Sequence, residues 1–276
     1  MKRVGVVLIV PVLLLAAACG QATPAEKAAR ETADHLGEIR SGQLLFKLVA
    51  GSGDSQVGFE LEGPFALPAP GALPVARIDY TQIAGGRETT TEVIATGANA
   101  YVGIDGTVYE LPPAQVESLR APKDSKDDGL GALRIDDWID DPRLGPGEEV
   151  DGVATERIQG PVDVVRTLND LFAFGRQAGA SDLAVPEIKG DDADQLRRVT
   201  QAATVDLLTG RDDRFLRRMA VDIRLAAQVP ERVTAALGDL AAATIRFDLA
   251  VNRPNTPVQV PEPTGARPAS AIPRPG

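Results

Sequence analysis

The chain is poor in the residues that most often carry chemistry or strong recognition contacts. Its 276 residues include one cysteine, one histidine and 4% aromatic residues. A lone cysteine, Cys19, cannot form a disulfide within the chain, so the fold has no disulfide to stabilise it even in an oxidising compartment. His35 is the one histidine of the chain, which makes it a poor candidate for a metal site or a catalytic triad, and it is predicted to be an ordinary surface histidine. The scarcity of aromatic rings argues mildly against a carbohydrate-binding surface.

The motifs of the common enzyme classes are also missing. There is no G-x-S-x-G elbow, no P-loop and no H-E-x-x-H pattern. The acidic residues within 136–141 lack the spacing of a calcium loop and are interpreted as a solvated helix end, and Asp212-Asp213 as part of a turn. Trp138, inside the first group, is predicted to be a core anchor. We therefore predict no catalytic site, no metal site and no cofactor.

Basic residues are outnumbered as well. Lys and Arg total 29 against 39 Asp and Glu, which gives a formal net charge of −10. Nucleic acids and anionic lipid surfaces attract clustered basic residues, so neither nucleic-acid binding nor docking on a membrane by charge is predicted. The chain is long enough to bury a single core without disulfides.

What the sequence does have is an apolar leader that ends at its cysteine. Lys2 and Arg3 precede an apolar run over residues 4–18, and small residues come directly before Cys19. This order is typical of an exported protein. It resembles the lipobox of bacterial lipoproteins, although Ala16 stands where leucine is usual. Residues 1–18 are predicted to be a lipoprotein signal peptide, and Cys19 the residue that carries a diacylglyceryl anchor on the extracytoplasmic side of the cell membrane.

Two other interpretations of the leader stay open. An uncleaved anchor is less favoured, because about 15 apolar residues interrupted by Pro11 are short for a helix that must cross about 30 Å of hydrocarbon. An ordinary secretory leader, cut nearby, would leave Cys19 as a free thiol. Cleavage before Cys19 removes Lys2 and Arg3 and takes the net charge from −10 to −12. Attachment of the protein to the membrane then depends on its acyl chains, and each CH₂ group that they bury in the bilayer contributes about 0.8 kcal/mol to binding.

Hydrophobic periodicity divides the rest of the chain into helices and strands. After a tether over residues 19–23, Thr23 as N-cap and Pro24 at the first helical position predict a helix over 24–40. A change to period two predicts antiparallel strands up to residue 111, with Asp105-Gly106 as a hairpin turn. The remaining predicted elements are helices over 113–120, 129–139, 161–176 and 191–199, and strands over 148–159, around 205–207, over 215–225 and over 245–251.

This order predicts one α+β domain over residues 24–252. Arg217 is the one charged residue on the apolar side of the 215–225 strand. Beyond the domain, residues 253–276 contain seven prolines. Such a tail cannot continue a helix or a central strand, and it is predicted to be extended and solvated.

Several short segments together resemble a known family. They are Glu62-Gly63-Pro64, residues 95–102, residues 106–110, Asp141-Pro142-Arg143, residues 149–153 and residues 207–218. Behind a lipobox leader, this order is similar to the LppX/LprG-type bacterial lipoproteins, which share the architecture of the LolA lipoprotein carriers. The resemblance implies a strongly curved antiparallel sheet, a half-barrel, whose open side is covered by helices. It also implies an apolar cavity for acyl chains between sheet and helices, and no catalytic residue.

The apolar sides of the predicted strands supply candidates for the wall of that cavity. They are predicted only as a set, because such alternation often just packs a sheet against a helix. The set is Phe59, Leu61, Met219, Val221, Ile223, Phe247 and Leu249.

The sequence is compatible with three classes of function. The preferred hypothesis is a lipid-anchored, non-enzymatic envelope protein that binds a lipid or lipid-like ligand and can transfer it. The alternative is a structural or signalling lipoprotein that has a filled interior and acts through protein contacts. A dry cavity of roughly several hundred Å³ favours the first class, and a filled interior favours the second. An enzyme is the least favoured class.

Overall fold

The structure, a computed structural model, describes residues 22–51, 53–67, 69, 71–120, 129–177, 187–226, 231 and 244–272. The predicted leader and Cys19 lie outside these residues. Within the described ranges, helices and strands follow the predicted order of strands, then helices, then strands again. None of the helices in this part of the chain is long and apolar enough to cross a bilayer.

The first helix begins with the predicted signals. Thr23 caps α1 (Pro24–Leu36): its Oγ1 accepts a hydrogen bond from the Glu26 N–H at 3.2 Å, and Glu26 Oε2 accepts one from the Thr23 N–H at 2.6 Å. A cap of this kind contributes about 1 kcal/mol. α1 ends at Leu36, before the predicted residue 40, with Gly37 as its C-cap. The other helices are α2 (Pro113–Ser118), α3 (Ile135–Trp138), α4 (Val164–Gln177) and α5 (Asp191–Val199).

Twelve strands join one open sheet. They are β1 (Ser41–Ala50), β2 (Val57–Ala66), β3 (Val75–Ala84), β4 (Arg87–Thr96), β5 (Ala100–Ile104), β6 (Thr107–Glu110), β7 (Arg143–Pro146), β8 (Thr155–Pro161), β9 (Thr200–Gly210), β10 (Leu216–Leu225), β11 (Thr244–Asn252) and β12 (Arg267–Pro268). Their order is β12-β6-β5-β4-β3-β2-β1-β11-β10-β9-β8-β7, and all pairs are antiparallel except β12 with β6. The predicted fold class, an antiparallel sheet with helices on its open side, is confirmed.

The predicted strand over residues 148–159 was wrong in its boundaries. The structure has two strands here, β7 and β8, with a turn at Asp151-Gly152 between them. Asp151 has φ 50° and Gly152 has φ 78°. Asp-Gly with two positive φ angles is the same turn chemistry that correctly predicted the β5–β6 hairpin, so the sequence does carry a signal for this turn.

The predicted helix over residues 129–139 is also divided. A 3₁₀ helix over Gly129–Ala132 is followed by the short α3. A Cβ added at Gly131 would lie 2.8 Å from the Cα of Gly37 at the end of α1. Close backbone packing against α1 therefore sets the path of this segment, and helical periodicity alone could not predict it.

The sheet has helices on one face. Thr32 of α1 donates from Oγ1 to Thr209 Oγ1 of β9 at 2.9 Å, and Phe174 of α4 stacks on Phe46 of β1 with ring centroids 5.0 Å apart. We call this side the inner face and the opposite side the outer face. The main core lies between the inner face and the helices.

The proline-rich tail, predicted to be extended and solvated, is bonded to the sheet at several points within its described residues, 253–272. Asn255 Oδ1 accepts from the Arg40 N–H at 2.8 Å. Further along, Glu262 accepts from Tyr101 Oη at 2.5 Å and from Asn99 Nδ2 at 3.2 Å. The hydrogen bond between Glu262 and Tyr101 raises the pKa of the phenol and lowers the pKa of the carboxyl. β12 then pairs with β6 at the sheet edge, where proline is tolerated.

Candidate functional site

The seven residues predicted as a cavity wall lie together on the inner face, in three neighbouring cross-strand rows. The first row, by direct pairing, is Ile158, Leu207, Met219, Leu249, Phe46, Leu61 and Tyr80. The second row is Val205, Val221, Phe247, Leu48 and Phe59. In the third row, Ile223 is opposite Ile245. Whether these residues line a lipid cavity stays a prediction.

Most of this set is closed off from solvent. The exposed fraction is 0% for Met219, Ile223 and Leu249 and 1% for Val221 and Phe247, whereas Phe59 is also buried and Leu61 is partly buried. Side chains with no accessible area touch other atoms on every side, so the β10–β11 part of the wall is packed in this conformation. Of the seven, Leu61 alone borders a partly open region.

Phe46 lies at the centre of the inner face, and sequence reasoning missed it. Its ring stacks on Phe59 at 5.5 Å and on Phe174 at 5.0 Å, and it meets Phe247 edge-on at 5.0 Å. Four of the seven phenylalanines in the chain therefore meet here. Each such pair contributes about 0.5–1.5 kcal/mol beyond its buried area. β1 carries apolar residues on both faces, Leu45 being one on the outer face, so alternation did not mark Phe46 as central.

Beyond Leu61 the inner face stays apolar but is less completely covered. Tyr80 is opposite Leu61, and Val93 is opposite Ile78. Leu44, Ile78 and Tyr80 are partly buried, and Val93 is 38% exposed. We call Leu44, Leu61, Ile78, Tyr80 and Val93 the inner wing. It runs from β1 to β4, about 14 Å at the usual strand spacing, and it offers apolar contact to an elongated hydrocarbon group.

Arg217, the charged residue predicted on the apolar side of β10, is buried in a β-bulge. The β9–β10 register shifts at this residue, so that Leu216 and Arg217 both face inward. Arg217 is 4% exposed, and its Nη2 is paired with Asp213. Its Nε and Nη1 are buried without a hydrogen-bond partner. A buried cation held by one partly exposed carboxylate depends heavily on that carboxylate.

The acidic residues near Trp138 are predicted not to bind a metal ion. No group of three potential ligands is assembled among the described residues. Trp138 is fully buried, as predicted for a core anchor, and its Nε1 donates to Asp170 Oδ2 at 2.7 Å. Burial raises the pKa of Asp170, and the indole N–H partly offsets this. Asp137 is paired with Arg134 at 2.7 Å, as suits a solvated helix end.

Solved structures similar to this one include two bacterial lipoproteins. No protein-family profile and no curated protein sequence matches the chain. Its structural neighbours include LprF from Mycobacterium bovis (TM-score 0.48, 15% identity, covering 87% of this chain and 97% of LprF). Lipoprotein LppX from Mycobacterium tuberculosis follows (TM-score 0.39, 13% identity, 86% and 98%). A LolA superfamily protein from Nitrosomonas europaea also matches (TM-score 0.23, 8% identity, 86% and 96%).

These neighbours are of the kind that the sequence segments predicted: LppX itself is among them, together with a LolA superfamily protein. The similarity extends over most of the chain, but at this low identity it assigns no role to any residue. The candidate site is therefore defined by its own geometry, which is the packed inner face and the adjoining inner wing.

Proposed function

We propose that the protein is a lipid-anchored envelope protein that holds an acyl chain of a lipid or lipid-like ligand on the inner wing. The supporting observation is that the apolar inner face becomes more exposed from β2 to β4, from buried Phe59 to half-buried Ile78 and exposed Val93. Each CH₂ that such a surface shields contributes about 0.8 kcal/mol, so a long chain gains substantially from contact with the wing. The packed wall beside it supplies a rigid floor.

Cys19 is proposed to carry the anchor, with residues 19–23 as the tether. Five residues reach at most about 17 Å, so the start of α1 stays close to the bilayer on its extracytoplasmic side. Mass spectrometry of the protein from its own membranes is expected to find a diacylglyceryl group on an N-terminal Cys19. A retained leader, or an unmodified cysteine, would contradict the anchor without affecting the inner wing.

Lipid binding is tested with two tryptophan substitutions at neighbouring positions of β3. Ile78→Trp fills the inner wing and is expected to reduce uptake of a fluorescent acyl probe. Asp79→Trp places the same bulk on the outer face and is expected to leave uptake unchanged. Solvent extraction complements this assay, because a non-covalent ligand is extracted whereas the covalent anchor stays on the protein. A wild-type protein that yields no lipid and takes up no probe would refute the proposal.

A second candidate function is favoured by one observation. The β10–β11 wall is almost completely packed, as expected of a structural or signalling lipoprotein that binds another protein and has no ligand cavity. The two candidates differ in the Ile78→Trp result, since a protein without a lipid site shows no probe uptake to lose. Transfer of the ligand is the finer form of the first proposal, and it is measured as movement of the probe between two vesicle populations.

A further inference from the structure

Two opposite charges on the outer face are unpaired and share one cross-strand row. Arg218 of β10 is opposite Ala250, Ala250 is opposite Leu45, and Leu45 is opposite Glu62 of β2. Both charged side chains are exposed. Neither has a hydrogen bond or ion pair with any residue in the described part of the chain.

The basic residues closest to the row are paired within the chain. Lys47 pairs with Glu60 at 2.6 Å, and Arg246 pairs with Asp248 at 3.1 Å. The sheet therefore pairs the neighbouring charges of this region and leaves Arg218 unpaired.

At the acidic end of the row, two like charges face each other on neighbouring strands. Glu62 is directly opposite Asp79 on β3, and like charges at opposite positions of a sheet destabilise it. Neither Glu62 nor Asp79 forms an ion pair with a described residue. An external cation at Glu62 would relieve the repulsion, just as an external carboxylate would satisfy Arg218.

The two unpaired charges are placed symmetrically about the boundary between β11 and β1. Each lies one and a half strand intervals from that boundary, about 7 Å. A two-fold axis parallel to the strands at the boundary, between two outer faces, places Arg218 of one copy over Glu62 of the other, and the reverse. The same operation places Ala250 over Leu45 and Asp248 over Lys47. The row is therefore complementary to itself.

The outer face is also indented at this boundary. A depression of about 320 Å³ is lined by Leu45, Arg218 and Ala250 among others. A second depression of about 370 Å³, lined in part by Ala220, shares Arg218 and Arg246 with the first. The small alanine side chains leave space there, and Leu45 of a second copy would enter the first depression.

We propose that the outer face forms a two-fold homodimer centred on the β11–β1 boundary, in which Arg218 of each copy pairs with Glu62 of the other. The central contact spans β10 to β2, about 14 Å, which is small for a stable interface. The dimer is therefore weak and sensitive to salt. Confinement of anchored copies to one membrane would raise their effective concentration. The occupant is a second copy because the complementary charge lies on the same face of the same chain.

The test uses the full chain in its own membrane, treated with a short lysine-reactive cross-linker. A linkage between Lys47 and Lys47 can come only from two copies, and mass spectrometry identifies it. Arg218→Glu and Glu62→Arg are each expected to reduce this linkage about tenfold, because each reversal changes two symmetry-related pairs. The combined variant, Arg218→Glu with Glu62→Arg, is expected to restore it. High salt is expected to weaken it in the wild type.

Arg224→Glu is the matched control, since it makes the same charge change on the same strand and face, and it is expected to leave the linkage unchanged. Absence of the linkage in the wild type would overturn the dimer. So would equal loss in Arg224→Glu, or a combined variant that melts like the wild type and still fails to cross-link. The outcome does not depend on a bound lipid.

Discussion

Replacing Phe46 with alanine removes the ring around which the inner face is packed. Phe46 is 0% exposed, and removal of a buried phenylalanine side chain costs about 3–5 kcal/mol. The loss here belongs at the upper end of that range, because three ring contacts at 5.0–5.5 Å disappear together. We expect the free energy of unfolding to fall by about 5 kcal/mol, which is a large part of the stability of a typical domain.

Urea unfolding followed by circular dichroism measures this change. The dependence on urea is expected to stay the same while the midpoint falls, since the variant buries nearly the same surface. Leu45→Ala is the control, because Leu45 is the next residue along β1, on the outer face and only partly buried. Its expected cost is about 1 kcal/mol.

A Phe46→Ala variant that loses no more stability than Leu45→Ala would refute the assignment of the two faces. The same variant also bears on lipid binding. The space left by the ring is apolar, stays dry and lies beside the inner wing. If an acyl chain binds there, saturating lipid is expected to restore part of the lost stability, because a ligand that binds the folded state stabilises it.

Two further changes test the buried cation and the tail. Asp213→Ala leaves the Arg217 guanidinium without its carboxylate and is expected to lower the free energy of unfolding by about 3 kcal/mol. The control is Asp212→Ala, which changes an exposed neighbouring residue and is expected to cost about 0.5 kcal/mol or less. Equal effects of the two substitutions would contradict the ion pair. The pKa of Glu262 is lowered by Tyr101, so its contribution is present at neutral pH and lost as the pH falls through the lowered folded value. Proteolysis of the tail is expected to accelerate in that acidic range, and Tyr101→Phe is expected to accelerate it already at neutral pH. If the tail is cut equally fast in the wild type and in Tyr101→Phe at neutral pH, the hydrogen bond between Tyr101 and Glu262 does not fix the tail to the sheet.

Local features of the chain were readable from the sequence because their physics involves neighbouring residues. The start of α1 depends on Thr23, Pro24 and Glu26, which bond within one turn. The β5–β6 hairpin depends on Asp105-Gly106, the two residues of its turn. Alternation in β10 and β11 correctly placed the apolar residues of each strand on one face, because successive side chains of a strand point to opposite sides.

The same alternation could not identify the neighbours of a strand or the extent of its cover. β1 is apolar on both faces, and only its pairing with β11, residues about 200 positions away, made Phe46 the centre of the inner face. The helices packed the β10–β11 wall and left the inner wing partly open, which no single strand encodes. Complementarity between Arg218 and Glu62 likewise exists only after four strands are in register. The sequence by itself determined the local elements and their apolar sides. Contacts between distant segments decided which apolar surface was filled and which stayed partly exposed, because burial is a property of the whole packed chain.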